Sequence, residues 1–203
     1  MAVELIEKYF ELTDIQKEQF EKLTPIYSDW NQKINVISRK DMDDFMEKHV
    51  LHALAIARYI HFKKDWYVVD LGTGGGFPGI PLAILFPEVK FILVDSIAKK
   101  VTVVQAVIEA LGLKNTRAIC GRVEELPIRA NLVVTRAVAP LDKLVLWSKK
   151  VLKPQSKGII ALKGGDLNDE LHGFKKHTNL IAINSFFQEP FFETKYIVHY
   201  KPS

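Results

Sequence analysis

A single cysteine, Cys120, stands in the 203-residue chain. One thiol cannot close an internal disulfide or build a multi-cysteine metal site, so disulfide scaffolds and zinc ribbons are excluded. No apolar run reaches the roughly 18 residues of a membrane span. The opening Met1–Glu7 places Glu4 and Glu7 where a secretory signal carries bases. The expectation is therefore a cytoplasmic, reduced protein with no membrane contact. Glycine (11) and proline (9) are too sparse for collagen-like or low-complexity chains. What remains is ordinary globular composition, with 48% hydrophobic and 26% charged residues. Such a chain can bury a real core as one domain, or as one domain with an appendage. No internal repeat is visible.

Charge is modest in total and uneven in place. Lys plus Arg is 28 and Asp plus Glu 24, a net of +4. Residues 1–98 hold 11 basic and 15 acidic side chains, 99–163 hold 13 and 4, and 164–203 hold 4 and 5. The middle segment thus carries +9. It reads either as a surface for a polyanion or as solvated helix faces, and charge alone leaves both open.

The pattern changes near residue 65. Before it, apolar residues recur with helical period. Thr13-Asp14-Ile15-Gln16 has the form of a capping box. Phe20, Leu23, Ile26, Trp30 and Ile34 follow near the 3.6 period, with Pro25 expected to kink or split the helix. Ser38-Arg39-Lys40-Asp41 is a second start signal, before Met42, Phe45, Met46, Val50, Leu54 and Ala57. Residues 1–64 thus read as an N-terminal helical segment packed on a sheet and bordering its cleft, and 65–203 as the main domain. In the latter, strands are expected at Trp66–Leu71, Lys90–Val94, Thr116–Cys120, Leu132–Thr135, Gly158–Leu162, Leu180–Phe187 and Lys195–Tyr200. Helices are expected at Ile80–Phe86 and Ala98–Leu111 and near 141–151 and 167–177. This alternation predicts a Rossmann-like α/β fold. Its mostly parallel twisted sheet has helices on both faces and a C-terminal hairpin with a short connection, which supplies one antiparallel strand.

Chemistry concentrates in Asp70-Leu71-Gly72-Thr73-Gly74-Gly75-Gly76-Phe77-Pro78-Gly79, between a strand and a helix. Glycines there let backbone turn tightly and approach a ligand. Asp95, at the end of the next strand, suits the hydroxyls of a ribose. Gly74 to Gly79 matches the dinucleotide fingerprint literally. Yet Asp70 repels a pyrophosphate, and Pro78 lacks an N–H that a phosphate cradle would use. S-adenosylmethionine carries an ammonium and a sulfonium and no phosphate, so the electrostatics favour it. Asp70, Gly72, Gly74, Gly76, Phe77 and Asp95 are the cofactor candidates from this stretch.

Asp70–Pro81, followed by Leu93-Val94-Asp95-Ser96 with Lys99-Lys100, resembles the bacterial small-subunit ribosomal RNA guanine-N7 methyltransferases, the glucose-inhibited division protein B family. The resemblance continues through Gly121-Arg122-Val123-Glu124-Glu125, Thr135–Leu141, Ala161-Leu162-Lys163-Gly164 and, upstream, Trp30-Asn31 with Lys33 and Asn35. It covers nearly the whole chain, least clearly after residue 165. It implies S-adenosylmethionine as cofactor, with S-adenosylhomocysteine as product. The implied reaction is methylation of N7 of a guanosine in 16S ribosomal RNA, in the 530-loop region, within the small subunit or an assembly intermediate. It also implies that Gly72 and Phe77 contact the cofactor, that Asp95 holds its ribose, and that Val123 and Glu124 border the adenine. Arg136 falls at the cofactor's reactive end, counts among the implied cofactor-binding residues and is the one catalytic candidate. Lys33, Lys48, Arg122, Arg136 and Lys163 are RNA-contact candidates. A monomer is expected, without a metal.

One departure concerns His49-Val50-Leu51-His52-Ala53-Leu54, where the family usually reads His-x-x-Asp-Ser-Leu. His52 replaces an acid, and packing or RNA-facing histidines are expected rather than a metal pair. Two other methylation chemistries lack their residues. No Asp/Asn-Pro-Pro-aromatic motif follows the fourth strand, and Cys120 has no Pro-Cys context for pyrimidine C5 attack and reads as a small buried residue. Guanine N7 bears no proton and presents an in-plane lone pair, so alignment suffices. N7 lies in the deep groove of A-form RNA, so the target belongs in a loop or flipped out. Phe77 or Trp30 could stack on it, with core packing the expected role of Trp30. The rivals are a dinucleotide oxidoreductase, a non-catalytic RNA-binding assembly factor and a small-molecule methyltransferase. Asp70 and Pro78 speak against the first and the intact loop against the second. The basic middle segment speaks against the third.

Overall fold

The computed structural model describes residues 3–202 and, at Arg39, the backbone alone. Its seven-stranded sheet comprises β1 (Tyr67–Leu71), β2 (Lys90–Asp95), β3 (Thr116–Cys120), β4 (Leu132–Arg136), β5 (Ile159–Gly164), β6 (Thr178–Ala182) and β7 (Lys195–Tyr200). The order is β3-β2-β1-β4-β5-β7-β6, and β7 alone runs opposite to the other six strands. This is the Rossmann-like sheet with its one antiparallel strand.

Side chains alternate across the central strands and so build two cores. Val68, Phe91, Leu93, Leu132, Val134 and Ile160 face one layer; Val69, Ile92, Val94, Val133 and Ile159 face the other. The first layer is covered by α2 (Asp14–Lys33), α3 (His52–Tyr59), α4 (Gly79–Leu85) and α5 (Ala98–Leu111), preceded by the short α1 (Glu4–Glu7). The second is covered by α6 (Leu141–Ser148) and α7 (Asn168–Leu171). Crossovers change face between β1 and β4, and at such a switch point the strand ends open a crevice. Among the described residues, no helix is long and apolar enough to cross a membrane.

The N-terminal helices share the first core with the sheet: Phe20, Leu23 and Tyr27 of α2 are fully buried in it. Thr13 and Gln16 form both bonds of the capping box. Pro25 lies inside an unbroken α2, against expectation. Glu21, whose carbonyl loses its donor to Pro25, is exposed, so water can serve it, while the buried stripe holds the axis. The second start signal gives only a 3-10 turn at Arg39–Asp41. Regular winding begins later, as a wide π-turn over Met46–Leu51 that leads into α3. Arg136 donates to the Lys48 carbonyl within that turn, and a side chain inserted in the ladder is a physical cause of such widening.

Two late elements differ from the sequence reading. The strand expected at 180–187 is β6, ending at Ala182, because Ile183 and Phe187 turn out of the sheet through Ile183–Ser185 and bury against the N-terminal helices. Phe187 meets Tyr9, Phe10 and Phe192 there. The connection to β7 is accordingly long, with a second 3-10 turn at Pro190–Thr194. The helix expected near 167–177 is only α7 and a 3-10 turn at His172–Phe174. Cys120, expected to be buried, is exposed, because it ends an edge strand beyond the core.

Candidate active site

The glycine loop leaves β1 at the switch point and is tied down by buried polar groups. Asp70 accepts from the Thr73 hydroxyl (2.6 Å) and from the Gly79 N–H (2.7 Å), both on Oδ2. Its Oδ1 is buried without a partner. Burial raises the Asp70 carboxyl to about 7, against the pull of those two bonds. Asp70 is thus placed beneath the loop and does not line the cavity above it. Because Gly79 is the first residue of α4, the carboxylate occupies the helix end where a pyrophosphate would sit. From the other side Tyr27 donates to the Gly75 carbonyl (2.5 Å). Gly76 turns toward that tyrosine: at φ +100°, a Cβ would lie 2.9 Å from the Tyr27 hydroxyl and 2.7 Å from Ile80. Gly76 therefore packs inward, whereas Gly72, Gly74 and Phe77 line the cavity.

That cavity holds about 560 Å³ at the carboxyl ends of β1, β2 and β4. Leu71, Val94 and Val123 supply apolar wall; Asp95, Glu124 and Arg136 supply charge. Asp95 accepts from the Gly74 N–H on one oxygen and from the Ile97 N–H on the other, each at 2.9 Å. Each oxygen keeps a further lone pair. Gly72 (φ +67°) sits in the left-handed region, and a Cβ there would lie 2.5 Å from the Val138 side chain, which would have to move. Arg122 is exposed on the rim of the same cavity.

A second cavity, about 460 Å³, adjoins the first, and Arg136 and Ala137 line both. Arg136 donates to the Lys48 carbonyl (3.2 Å) and to His49 Nδ1 (2.8 Å), and its guanidinium lies 5.0 Å from the Phe77 ring centre. Arginine has no acceptor, so Nδ1 carries the lone pair and Nε2 the proton of a neutral His49. Burial and the nearby Arg136 cation lower His49 to about 4. Burial also lowers Arg136, to about 10, a cost partly offset by Asp70. Phe77 is enclosed by Tyr27, Phe45, His49 and Arg136, so stacking a base on it is ruled out by packing. Trp30 packs on the core, as expected, with Lys33 over its ring.

The remaining basic candidates separate. Lys48 lines the second cavity and pairs with Asp44 (2.9 Å). Lys163 lines it too, largely buried, paired with Glu170 (2.7 Å) and donating to the Ala139 carbonyl. Lys33 lines neither cavity and pairs with Asp29 at the exposed end of α2. His52 is buried against Phe191 and Phe192 while His49 turns to Arg136. Among the described residues no group of three or more His, Cys, Asp and Glu could hold a metal. Sequence reasoning missed Tyr27, Asp41, Val138 and Glu170. Tyr27 was hidden in an ordinary apolar stripe, and the others contact the site only through the fold.

This sheet, with an acid-glycine loop at its switch point and an acid ending β2, defines an S-adenosylmethionine-dependent methyltransferase. Solved structures agree at the level of fold. A SAM-dependent methyltransferase from Aquifex aeolicus matches with TM-score 0.58 and 15% identity, over 81% of this chain and 98% of that one. One from Thiobacillus denitrificans, in complex with S-adenosyl-L-homocysteine, matches with TM-score 0.53 and 12% identity, over 71% and 74%. Sequence comparison reaches further. The family described as rRNA small subunit methyltransferase G (GidB) matches residues 16–194. Proteins named ribosomal RNA small subunit methyltransferase G are similar along their length. That of Flavobacterium psychrophilum is 52% identical, over 97% of this chain and 96% of its own. That of Bacteroides thetaiotaomicron is 51% identical, over 97% and 98%. The chain belongs to this family of ribosomal RNA methyltransferases, with S-adenosylmethionine as cofactor.

The residues present fit that cofactor. Gly72 leaves a cradle that a Cβ would fill, Asp95 offers open lone pairs, and the Asp70 carboxyl already takes the Gly79 N–H at the start of α4.

Proposed function

We propose that the chain methylates N7 of a guanosine in 16S ribosomal RNA, in the 530-loop region, by in-line transfer without a general base. The observation that carries this reading is the meeting of two cavities at Arg136. The first takes the cofactor: Asp95 the ribose hydroxyls, Val123 and Glu124 the adenine edge, Gly72 and Gly74 the backbone approach. When bound, S-adenosylmethionine supplies an electrophilic methyl group on a sulfonium. The second cavity takes the guanine, presented by RNA whose phosphates meet Lys48, Arg122 and Lys163.

N7 has no proton to lose, so the reaction needs no general base. His49 is neutral, and its lone pair is engaged by Arg136. The guanidinium has five donors, of which these bonds use two. The others suit the O6 acceptor of guanine and oppose the 6-amino donor of adenine. Lys48, His49 and the Phe77 face hold that fork in place, so Arg136 acts by alignment. Positive charge moves onto the purine during transfer, and the carboxylates of Asp41 and Glu170 line the same cavity. The chain acts as a monomer on the small subunit or an assembly intermediate.

The test is transfer of labelled methyl to 16S transcripts made with guanosine or with 7-deazaguanosine. The reading expects incorporation into the first and none into the second. Equal incorporation would move the acceptor away from N7.

A further inference from the structure

The basic middle segment does not gather around the cavities. Seven of its thirteen basic residues lie at the opposite end of the sheet, where the parallel strands begin. Lys114 and Arg117 flank the start of β3, and Arg129 precedes β4. The chain after α6 returns to that end. Val151 and Lys153 bond the backbone of Ala130, and Arg129 donates to the Lys150 carbonyl, so Lys149 and Lys150 stand beside β4. Lys157 bonds Asn131 just before β5. All seven are exposed except Lys153.

Three features mark this end as more than solvated surface. First, its ionic balance is open. Asp65 and Glu88 are already paired with Lys90 (3.8 Å) and Lys64 (3.2 Å), and among the described residues none of the seven makes an ion pair. Second, some of the charge is held in place. The Lys90 and Lys153 ammonium groups each lie 5.1 Å from the centre of the Tyr67 ring, and Lys153 donates to Asn131 Oδ1 (3.1 Å). Third, a groove of about 550 Å³ runs under the starts of β1, β2 and β3, between Tyr67, Lys90, Lys114 and Arg117.

We infer that this face is a second RNA-binding surface, which grips phosphates of the folded substrate about 20 Å from the target base, the span of a six-residue strand. Unpaired lysines and arginines on one face are the footprint of a phosphate backbone. A large folded RNA can reach both ends of a small enzyme, whereas a nucleotide or short strand reaches only the cavity. The inference rests on the proposed RNA substrate.

The experiment compares wild type with the triple variant Lys149→Gln, Lys150→Gln, Lys157→Gln, and with Lys17→Gln, Lys22→Gln as a control for charge lost elsewhere. Binding to free 16S rRNA is measured across salt concentration, beside S-adenosylmethionine affinity, thermal unfolding and methyl-transfer kinetics. The inference expects the triple variant to lose about 2–3 in the slope of log affinity against log salt, near 0.7–0.9 per phosphate contact. It also expects RNA KM to rise about tenfold or more, with kcat, cofactor affinity and unfolding unchanged and the control close to wild type. Unchanged slope and KM overturn it. So does a defect confined to assembled subunits, which would assign the face to a protein partner. A wild type that binds RNA with the expected slope but transfers no methyl would instead overturn the proposed reaction and leave the surface standing.

Discussion

Replacing Asp70 by asparagine isolates the cost of holding a carboxyl beneath the glycine loop. Asp70 is fully buried, and its pKa rises from 3.8 to about 7. The folded state therefore binds more protons than the unfolded state between those values. Stability from this group is greatest below pH 4 and is lost as pH rises toward 7. At 1.36 kcal/mol per pKa unit the full span is about 4 kcal/mol, an upper bound. His49 acts in the opposite sense. Its pKa falls from 6.5 to about 4, so the unfolded state binds more protons there, and up to about 3 kcal/mol is lost as pH falls through that range. In the wild type the two slopes oppose between pH 4 and 6.5. Asp70→Asn keeps one acceptor for Thr73 or Gly79 and removes the charge. Urea unfolding followed by tryptophan fluorescence, from pH 4.5 to 8.5, should then show variant minus wild-type stability growing with pH by a few kcal/mol. His49→Gln should give the mirror trend below pH 6.5. A difference for Asp70→Asn that does not change with pH would refute the burial argument.

Asp95→Ala should weaken S-adenosylmethionine binding about 100-fold or more by calorimetry. It should also cost about 2–4 kcal/mol of stability, because the Gly74 and Ile97 N–H groups lose their acceptor; unchanged affinity would reject the ribose assignment. Arg136→Lys keeps the charge but not the fork that spans Lys48 and His49, so kcat should fall about 100-fold while cofactor affinity changes little. Gly72→Ala should destabilise by about 2–4 kcal/mol, from its positive φ and the clash with Val138. Adding Val138→Ala should recover part of that loss, and strict additivity of the two would contradict the clash.

Much of this was legible in the sequence because it is local or periodic. Apolar runs of strand length, each followed by a helical stripe, placed β1 to β5 within a residue or two. The glycine loop announced itself by composition, and Asp95 by its place at the next strand end. What spacing could not convey was direction. Asp70 reads as a ligand group, yet the chain turns so that its oxygens face Thr73 and Gly79. The β6 run continues in apolar residues past Ala182, but Ile183 and Phe187 belong to a core supplied by helices far away in sequence. The Arg136–His49 bond joins residues 87 apart, and no periodicity reports such a contact. The excess charge of residues 99–163 was visible, but its division between two ends of the sheet needed the fold.

The acceptor atom is identified most directly from the modified nucleoside itself. Small-subunit RNA that lacks the modification should be incubated with the protein and labelled S-adenosylmethionine, digested to nucleosides and analysed by mass spectrometry. Methylation at N7 places the label in 7-methylguanosine, at a single position within the 530-loop region. Label in any other nucleoside, or none with the cofactor bound, would contradict it.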